Sequence, residues 1–190
     1  FNAKNKTRKR GLALVPLKFG ISFTATHLNQ GGALLVVYMD GSVSCNHGGT
    51  EMGQGLNTKM AQVCADGLGI SVDKVRITAT DSQKVPNASA TSASSGADIN
   101  GAAIMNATAQ MRERLKPVAA RMLGCAEADI TFANSEAHGG GKSVKWEDIT
   151  KQAWLDRVGL SVTGFYMTPE IKYDFTTLNG RAFYYYCYGA

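Results

Sequence analysis

The fold is decided by Ala33-Leu34-Leu35-Val36-Val37-Tyr38-Met39, then Asp40-Gly41-Ser42-Val43-Ser44-Cys45, then Asn46-His47-Gly48-Gly49-Thr50-Glu51-Met52-Gly53-Gln54-Gly55. Ala33 to Met39 is apolar throughout and predicts a strand covered on both faces. Asp40-Gly41 is a strong hairpin signal, and Ser42 to Asn46 predicts the returning strand. That strand delivers the chain into a loop with four glycines, one amide (Gln54) and one carboxylate (Glu51). Glycine permits a positive φ and leaves no Cβ in the way of a ligand. A glycine-rich turn leading into a helix aims backbone N–H groups outward, which suits an anion or a polar cofactor. The glycines alone leave a second reading open, a tight strand-to-helix connection with no ligand.

Beyond this loop, Leu56, Met60, Val63, Cys64, Gly67 and Leu68 recur at helical spacing and predict a helix over 56–68, closed by Gly69. Before the opening stretch, Gly11 to Gly20 predicts a strand that Ile21 to Thr24 continue, with Pro16 marking an edge position or a break. After the helix come a short strand from Val75 to Thr80 and a loop from Asp81 to Ala93 with no apolar period. Loops of that length are often functional. A helix starts near Ser94 or Ser95, with Ile104, Ala107, Met111 and Leu115 as its buried stripe. Pro117 either kinks this helix or begins another that ends at Gly124. A strand at Ile130 to Phe132 follows, with Ser143-Val144 pairing back after Gly139-Gly140-Gly141. The remaining elements are a helix from Trp146 to Val158, a strand from Ser161 to Met167, and a last, buried strand from Phe183 to Tyr188. Strands and helices mix without strict alternation, which gives an α+β class of mixed sheets with packed helices and no internal boundary over 1–190.

The chain is 44% hydrophobic and 18% charged over 190 residues, enough for a buried core. No apolar run reaches the length of a membrane span and no signal-peptide pattern opens the chain, so a cytoplasmic location with no membrane partner is expected. Cys45, Cys64, Cys125 and Cys187 lie far apart with no C-x-x-C pair, which predicts buried free thiols rather than a zinc site. The net charge of +5 has a local source in Lys4, Lys6, Arg8, Lys9 and Arg10. No aromatic residue is interleaved with that cluster, so it reads as a solvated arm and not as a nucleic-acid surface. The chain opens on Phe1 and stops at Ala190 just after an aromatic run, so a piece of a longer polypeptide is expected.

A second candidate site is Pro86-Asn87-Ala88-Ser89-Ala90-Thr91-Ser92-Ala93-Ser94-Ser95-Gly96, small and hydroxyl-rich, entering a helix N-terminus. First-turn N–H groups, hydroxyls and small side chains together suit a phosphate or a polar cofactor. Helix capping by Ser94 or Ser95 is the alternative, but a cap needs one such residue and not a run of them. Two such loops can flank one extended ligand. Neither is a Walker loop or a dinucleotide fingerprint, and no G-x-S-x-G elbow occurs. His27, His47 and His138 lack metal-ligand spacing. Glu51 reads as an acceptor that braces its loop rather than as a general base.

Several stretches, in order, carry a family resemblance: Lys18 to Thr24, Leu28-Asn29-Gln30, Val37 to Val43, His47 to Gly55 with Thr58-Lys59-Met60, Val85-Pro86-Asn87, Thr91 to Asp98, Asn100-Gly101, Phe165-Tyr166, Thr168-Pro169 and Phe183 to Ala190. With these the chain resembles the molybdopterin-binding domain of the xanthine dehydrogenases, within the xanthine oxidase and aldehyde oxidase family of molybdenum hydroxylases. The resemblance implies oxidative hydroxylation of purines, hypoxanthine and xanthine to urate, with water as the oxygen source. It assigns Gln54 to the pterin, and Thr91, Ser92, Ala93, Ser94, Ser95 and Gly96 to the cofactor, with Ala93 nearest substrate and metal. Phe23 is implied to stack on the substrate ring and Thr24 to contact a substrate oxygen; by itself Phe23 reads as a core residue at a strand end. Ser92 stands where alanine is common, and Ser95-Gly96 replaces a bulkier pair. The family's base, a glutamate in Gly-Glu-Pro, is absent here, as are its purine-binding arginine and glutamate and its Gly-Phe-Gly loop. No catalytic residue is therefore expected in this chain. The implied partners are the remainder of the molybdenum domain and modules carrying 2Fe-2S clusters and FAD, with NAD as the final acceptor. An aldehyde oxidase-type domain, a non-catalytic binding or folding module, and a phosphate binder unrelated to molybdenum are the alternatives.

Overall fold

The computed structural model describes residues 1–92 and 94–190. Its elements in chain order are β1 Val15–Ile21, β2 Gln30–Val37, β3 Val43–His47, α1 Leu56–Leu68, β4 Val75–Ile77, α2 Gly96–Leu123, β5 Thr131–Ala133, β6 Glu136–Gly139, β7 Lys142–Lys145, α3 Trp146–Leu155, β8 Ser161–Met167, β9 Lys172–Asp174, β10 Asn179–Arg181 and β11 Phe183–Gly189. The α+β class expected from the sequence is what this arrangement shows. Among the described residues, no helix is long and apolar enough to cross a membrane.

A four-stranded sheet in the order β4-β3-β2-β8 is the frame. β2 runs antiparallel to both β3 and β8, while β3 and β4 are parallel and joined through α1. Leu35, Val37, Val43 and Cys45 of the sheet pack in one apolar core with Met60, Cys64 and Leu68 of α1. Ile104, Ala107, Met111 and Leu115 of α2 and Trp146, Ile149 and Ala153 of α3 complete that core. β2 is less evenly covered than its apolar run predicts: Leu35 and Val37 are buried, Leu34 and Val36 only half-buried. The turn after it spans Tyr38 to Ser42, with the Asp40 carboxylate accepting from the Ser42 N–H (2.9 Å) and hydroxyl (2.6 Å).

Two glycines set how closely the helices approach. A Cβ on Gly164 of β8 would stand 2.0 Å from the Ala103 carbonyl oxygen of α2. A Cβ on Gly67 of α1 would stand 2.4 Å from Thr108 Oγ1 of α2. α2 continues through Pro117 for 28 residues and ends at Gly124. The buried stripe carries on past the proline through Val118, Ala119 and Leu123, which offsets the roughly 3 kcal/mol that an interior proline costs. The outer edge of β8 is closed by a polar row on the same helix. Asn106 Oδ1 accepts from the Phe165 N–H (3.2 Å), Gln110 donates to the Thr163 carbonyl (3.1 Å), and Arg114 donates to the Ser161 (2.9 Å) and Gly159 (2.7 Å) carbonyls. Four helical residues rise about 6 Å and two strand residues about 6.7 Å, so the two rows stay in step.

Several local expectations are corrected. β11 pairs along its whole length with β1, from Val15 opposite Gly189 to Ile21 opposite Phe183, but this two-stranded ribbon is largely exposed, not buried. Pro16 fits there because the ribbon has only one partner for each strand. Cys45 and Cys64 are buried as free thiols, whereas Cys125 is half-buried and Cys187 exposed. α3 stops at Leu155, three residues before the expected Val158. The β9–β10 hairpin was not anticipated, and β5, β6 and β7 form a separate three-stranded meander.

Candidate functional site

The glycine-rich loop joins β3 to α1 and is held by its own side chains. Glu51 Oε1 accepts from the N–H groups of Gly53 (2.8 Å) and Gly55 (3.0 Å), and Oε2 from that of Asn57 (2.9 Å). These bonds, that from Asn57 foremost, hold the carboxyl below the usual glutamate range. Glu51 thus serves the donors at the start of α1, the bracing role read from the sequence. His47 is buried; its Nδ1 accepts from the Gly49 N–H at 3.1 Å and its Nε2 lies 3.2 Å from Asn57 Oδ1. Burial pushes the His47 pKa down, which favours a neutral ring with its proton on Nε2. Exposed Gln54 folds back on the loop: Oε1 accepts from the Met52 N–H (2.6 Å) and Nε2 donates to the Thr50 carbonyl (2.9 Å). Each of those amide atoms keeps capacity for one more hydrogen bond.

The second loop is laced to the first. The Thr50 N–H donates to Thr91 Oγ1 at 2.9 Å, and the Thr80 hydroxyl reaches the carbonyls of His47 (3.0 Å) and Gly49 (2.6 Å). A Cβ on Gly48 would stand 2.6 Å from the Ala88 Cβ, so the two backbones touch there. Ser95 is buried and does not cap α2; its hydroxyl donates to the Ser92 carbonyl at 2.9 Å. Ser94 has a φ of 58°, a left-handed position that is strained for a residue other than glycine.

Between the loops lies a cleft of about 290 Å³. Gln54, Thr91, Ser92, Ser94 and Gly96 line it, together with Met52, Leu56, Lys59 and Ala97. Five residues predicted to bind one cofactor therefore converge. Ser95 stands behind the wall and Ala93 lies outside the described residues. Lys59 carries no role in the sequence reading; its position one turn into α1, after the glycines, is the signal that finds it. A larger cleft of about 620 Å³ is walled by Asp40, Ser42, Lys74 and Arg76, with Lys74 already paired to Glu147, and holds no residue of either loop. Among the described residues, no three His, Cys, Asp or Glu side chains are grouped to hold a metal.

Phe23 and Thr24 sit on another loop, between β1 and β2, and neither lines the 290 Å³ cleft among the described residues. Phe23 is half-buried and Thr24 exposed. Buried Asn29 fixes this loop: its Oδ1 accepts from the Phe23 N–H (2.7 Å) and its Nδ2 donates to the carbonyls of Phe23 (3.1 Å) and Thr26 (3.0 Å). Nothing in the local sequence marks Asn29 for that task. The hydroxyl-rich loop bridges the two regions, with Ser89 Oγ bonded to the Gln30 carbonyl (3.0 Å) and Asn87 to the Gln30 side chain (2.9 Å).

Two loops, each running into a helix and together closing one cleft rich in donors, define a domain that holds a polar cofactor. All of residues 1–190 match the molybdopterin cofactor-binding domain family, and the chain belongs to that family. It is 46% identical over 189 residues to a xanthine dehydrogenase/oxidase of Gallus gallus and 43% identical over 190 residues to a xanthine dehydrogenase of Oryza sativa subsp. japonica. Each match takes in 100% of this chain but only 12% of the relative. Quinoline 2-oxidoreductase from Pseudomonas putida 86 shares the fold, with a TM-score of 0.73 and 22% identity over 89% of this chain and 25% of that one.

Proposed function

We propose that this chain is the cofactor-holding wall of a longer polypeptide, a molybdenum hydroxylase of the xanthine dehydrogenase type that oxidises hypoxanthine and xanthine to urate. The observation that carries the reading is the cleft on which Gln54, Lys59, Thr91, Ser92, Ser94 and Gly96 converge. Its chemistry suits molybdopterin, which presents a phosphate and a flat pterin edge. The Lys59 ammonium complements the phosphate charge. The hydroxyls of Thr91, Ser92 and Ser94 offer donors, and the Gln54 amide offers its remaining donor and acceptor to the pterin. Gly96 adds no side chain, so the first turn of α2 can be approached closely. Ser95 acts from behind by tying down the Ser92 carbonyl. Ala93, outside the described residues, is assigned to the substrate by the family resemblance alone.

The chemistry supplied by the bound group is two-electron oxidation of the substrate, with the product oxygen taken from water. Phe23 presents a ring for a flat purine to stack on, fixed through its backbone by Asn29, and Thr24 presents an exposed hydroxyl to a substrate oxygen. The chain supplies no base. Glu51 is a poor proton acceptor because three N–H donors stabilise its charged form. The base belongs to another part of the polypeptide, as do the 2Fe-2S and FAD modules that pass electrons on to NAD. The cytoplasm is the assigned location.

Gln54→Ala in the full polypeptide tests this. Lower molybdenum and pterin content per chain, with xanthine turnover reduced in proportion and an unchanged circular dichroism spectrum, is the expected result. Full molybdenum content with full turnover would remove Gln54 from the cofactor site. An aldehyde assay beside the xanthine assay separates the two substrate classes.

A further inference from the structure

Three elements meet at Asp98 in the first turn of α2. Its carboxylate accepts a hydrogen bond from the Tyr185 hydroxyl of β11, and the Tyr166 hydroxyl of β8 lies close enough to feel its charge. The helix presses on the sheet at the next residue: a Cβ on Gly31 of β2, the cross-strand partner of Tyr166, would clash with Ile99 Cγ2. Asp98 is half-buried, and burial pushes its carboxyl pKa up, with the Tyr185 bond acting against that rise. Burial and the Asp98 charge push the Tyr185 pKa up as well, so the tyrosine keeps its proton and donates. A hydrogen bond to a carboxylate is stronger than one between neutral groups.

This bond joins the two sides of the site. Gly96 and Ala97, just before Asp98, line the cofactor cleft. Tyr185 stands opposite Phe19 of β1, and β1 ends at Ile21, just before the loop that carries Phe23. Phe183, opposite Ile21, packs edge-on against Tyr185 with ring centroids 5.1 Å apart. Ile21 is buried while the far end of the ribbon is exposed, so the ribbon is held at this end. The Phe23 loop is thus fixed on its β2 side by Asn29 and on its β1 side by the ribbon end. We infer that Asp98 is a positioning residue: through Tyr185 it holds the Phe23 loop at a set distance and angle from the cofactor wall. The inference rests on the roles proposed above for Phe23 and for the cleft. Without the bond the Phe23 ring still offers its stacking surface, but the substrate's reacting carbon leaves its place. A misplacement of about 1 Å can cost about 100-fold in rate, whereas binding common to ground and transition state is kept.

The test is single-turnover oxidation of xanthine by the full polypeptide, with molybdenum counted per chain. Asp98→Ala and Tyr185→Phe should each lower the saturated rate about 10- to 100-fold, with half-saturation moved less than about twofold and molybdenum content held. The double variant should be no slower than the slower single variant, because both remove one bond. Asp98→Asn keeps an oxygen that accepts from Tyr185 and should restore most of the rate. Asp98→Asn and Tyr185→Phe decide the matter if Asp98→Ala does not fold. A parental rate in Tyr185→Phe, losses that multiply in the double variant, a loss in Asp98→Asn as deep as in Tyr185→Phe, or molybdenum lost from Asp98→Ala would each overturn the inference. Phe23→Ala is run beside them. If it weakens xanthine saturation while the Asp98 and Tyr185 variants are silent, the positioning role alone falls. If Phe23→Ala is silent, the substrate reading and the inference fall together.

Discussion

Gly48→Ala tests the contact that brings the two loops together. The new methyl would lie 2.6 Å from the Ala88 Cβ and 3.1 Å from the Ala88 Cα. Comfortable carbon contacts are about 3.5–4.0 Å, so the loops must part by about 1 Å. The Ala88 side cannot yield freely, because Ser89 is bonded to the Leu28 and Gln30 carbonyls and Asn87 to the Gln30 side chain. Overpacking of this kind costs about 1–3 kcal/mol. The bond at risk is the 2.9 Å one from the Thr50 N–H to Thr91 Oγ1, which spans the loops. Hydrogen exchange at the Thr50 amide in the full polypeptide should therefore speed up about 5- to 150-fold, and molybdenum content should fall with it. Gly11→Ala is the control, since nothing lies within 4 Å of a Cβ there. Thr50 exchange and molybdenum content both unchanged in Gly48→Ala, as in the control, would refute the argument that this contact shapes the cleft.

The other predictions concern the loop, the frame and the substrate side. Glu51 has a folded pKa below its usual 4.5, so the bracing it gives is present above that value and is lost as pH falls through the lower folded one. Glu51→Gln should lower the melting temperature at pH 7, and the gap from the parent should close in acid; an equal gap at every pH would contradict this. Gly164→Ala drives a methyl to 2.0 Å from the Ala103 carbonyl oxygen and should reduce soluble protein strongly, at a cost of about 3 kcal/mol or more; normal yield and melting would show that α2 does not press on β8 as described. Phe23→Ala should raise the KM for xanthine about tenfold while molybdenum content holds, in line with a stacking contact worth about 0.5–1.5 kcal/mol beyond its area; an unaltered KM and kcat would remove Phe23 from the substrate.

Much of the frame is legible because its signals are local. α1 runs from Leu56 to Leu68 as its period and its flanking glycines predict, and β8 covers the expected Ser161 to Met167. The buried stripe Ile104, Ala107, Met111 and Leu115 is correct for the same reason. Pro117 does not begin a new helix, because the buried stripe continues past it through Val118, Ala119 and Leu123, whereas local sequence weighs only the lost hydrogen bond. The aromatic run of β11 reads as buried because an apolar strand has the same pattern whether its cover comes from this chain or from elsewhere. At the site, the types and order of Gln54 and Thr91 to Gly96 point to a cofactor, but the convergence of Gln54, Thr91, Ser92, Ser94 and Gly96 on one cleft depends on α1 and α2 packing side by side. Lys59 and Asn29 lie in stretches that carry the resemblance but receive no role from the sequence, because one gains its position from that packing and the other from folding back across its own loop.

The central claim is that one cofactor lies between the glycine-rich loop and the start of α2. The most direct test is a structure of the full polypeptide with its cofactor bound. Density within hydrogen-bonding distance of both the Gln54 amide and the Ser94–Gly96 segment is the predicted result. Cofactor density that contacts neither loop would contradict the account.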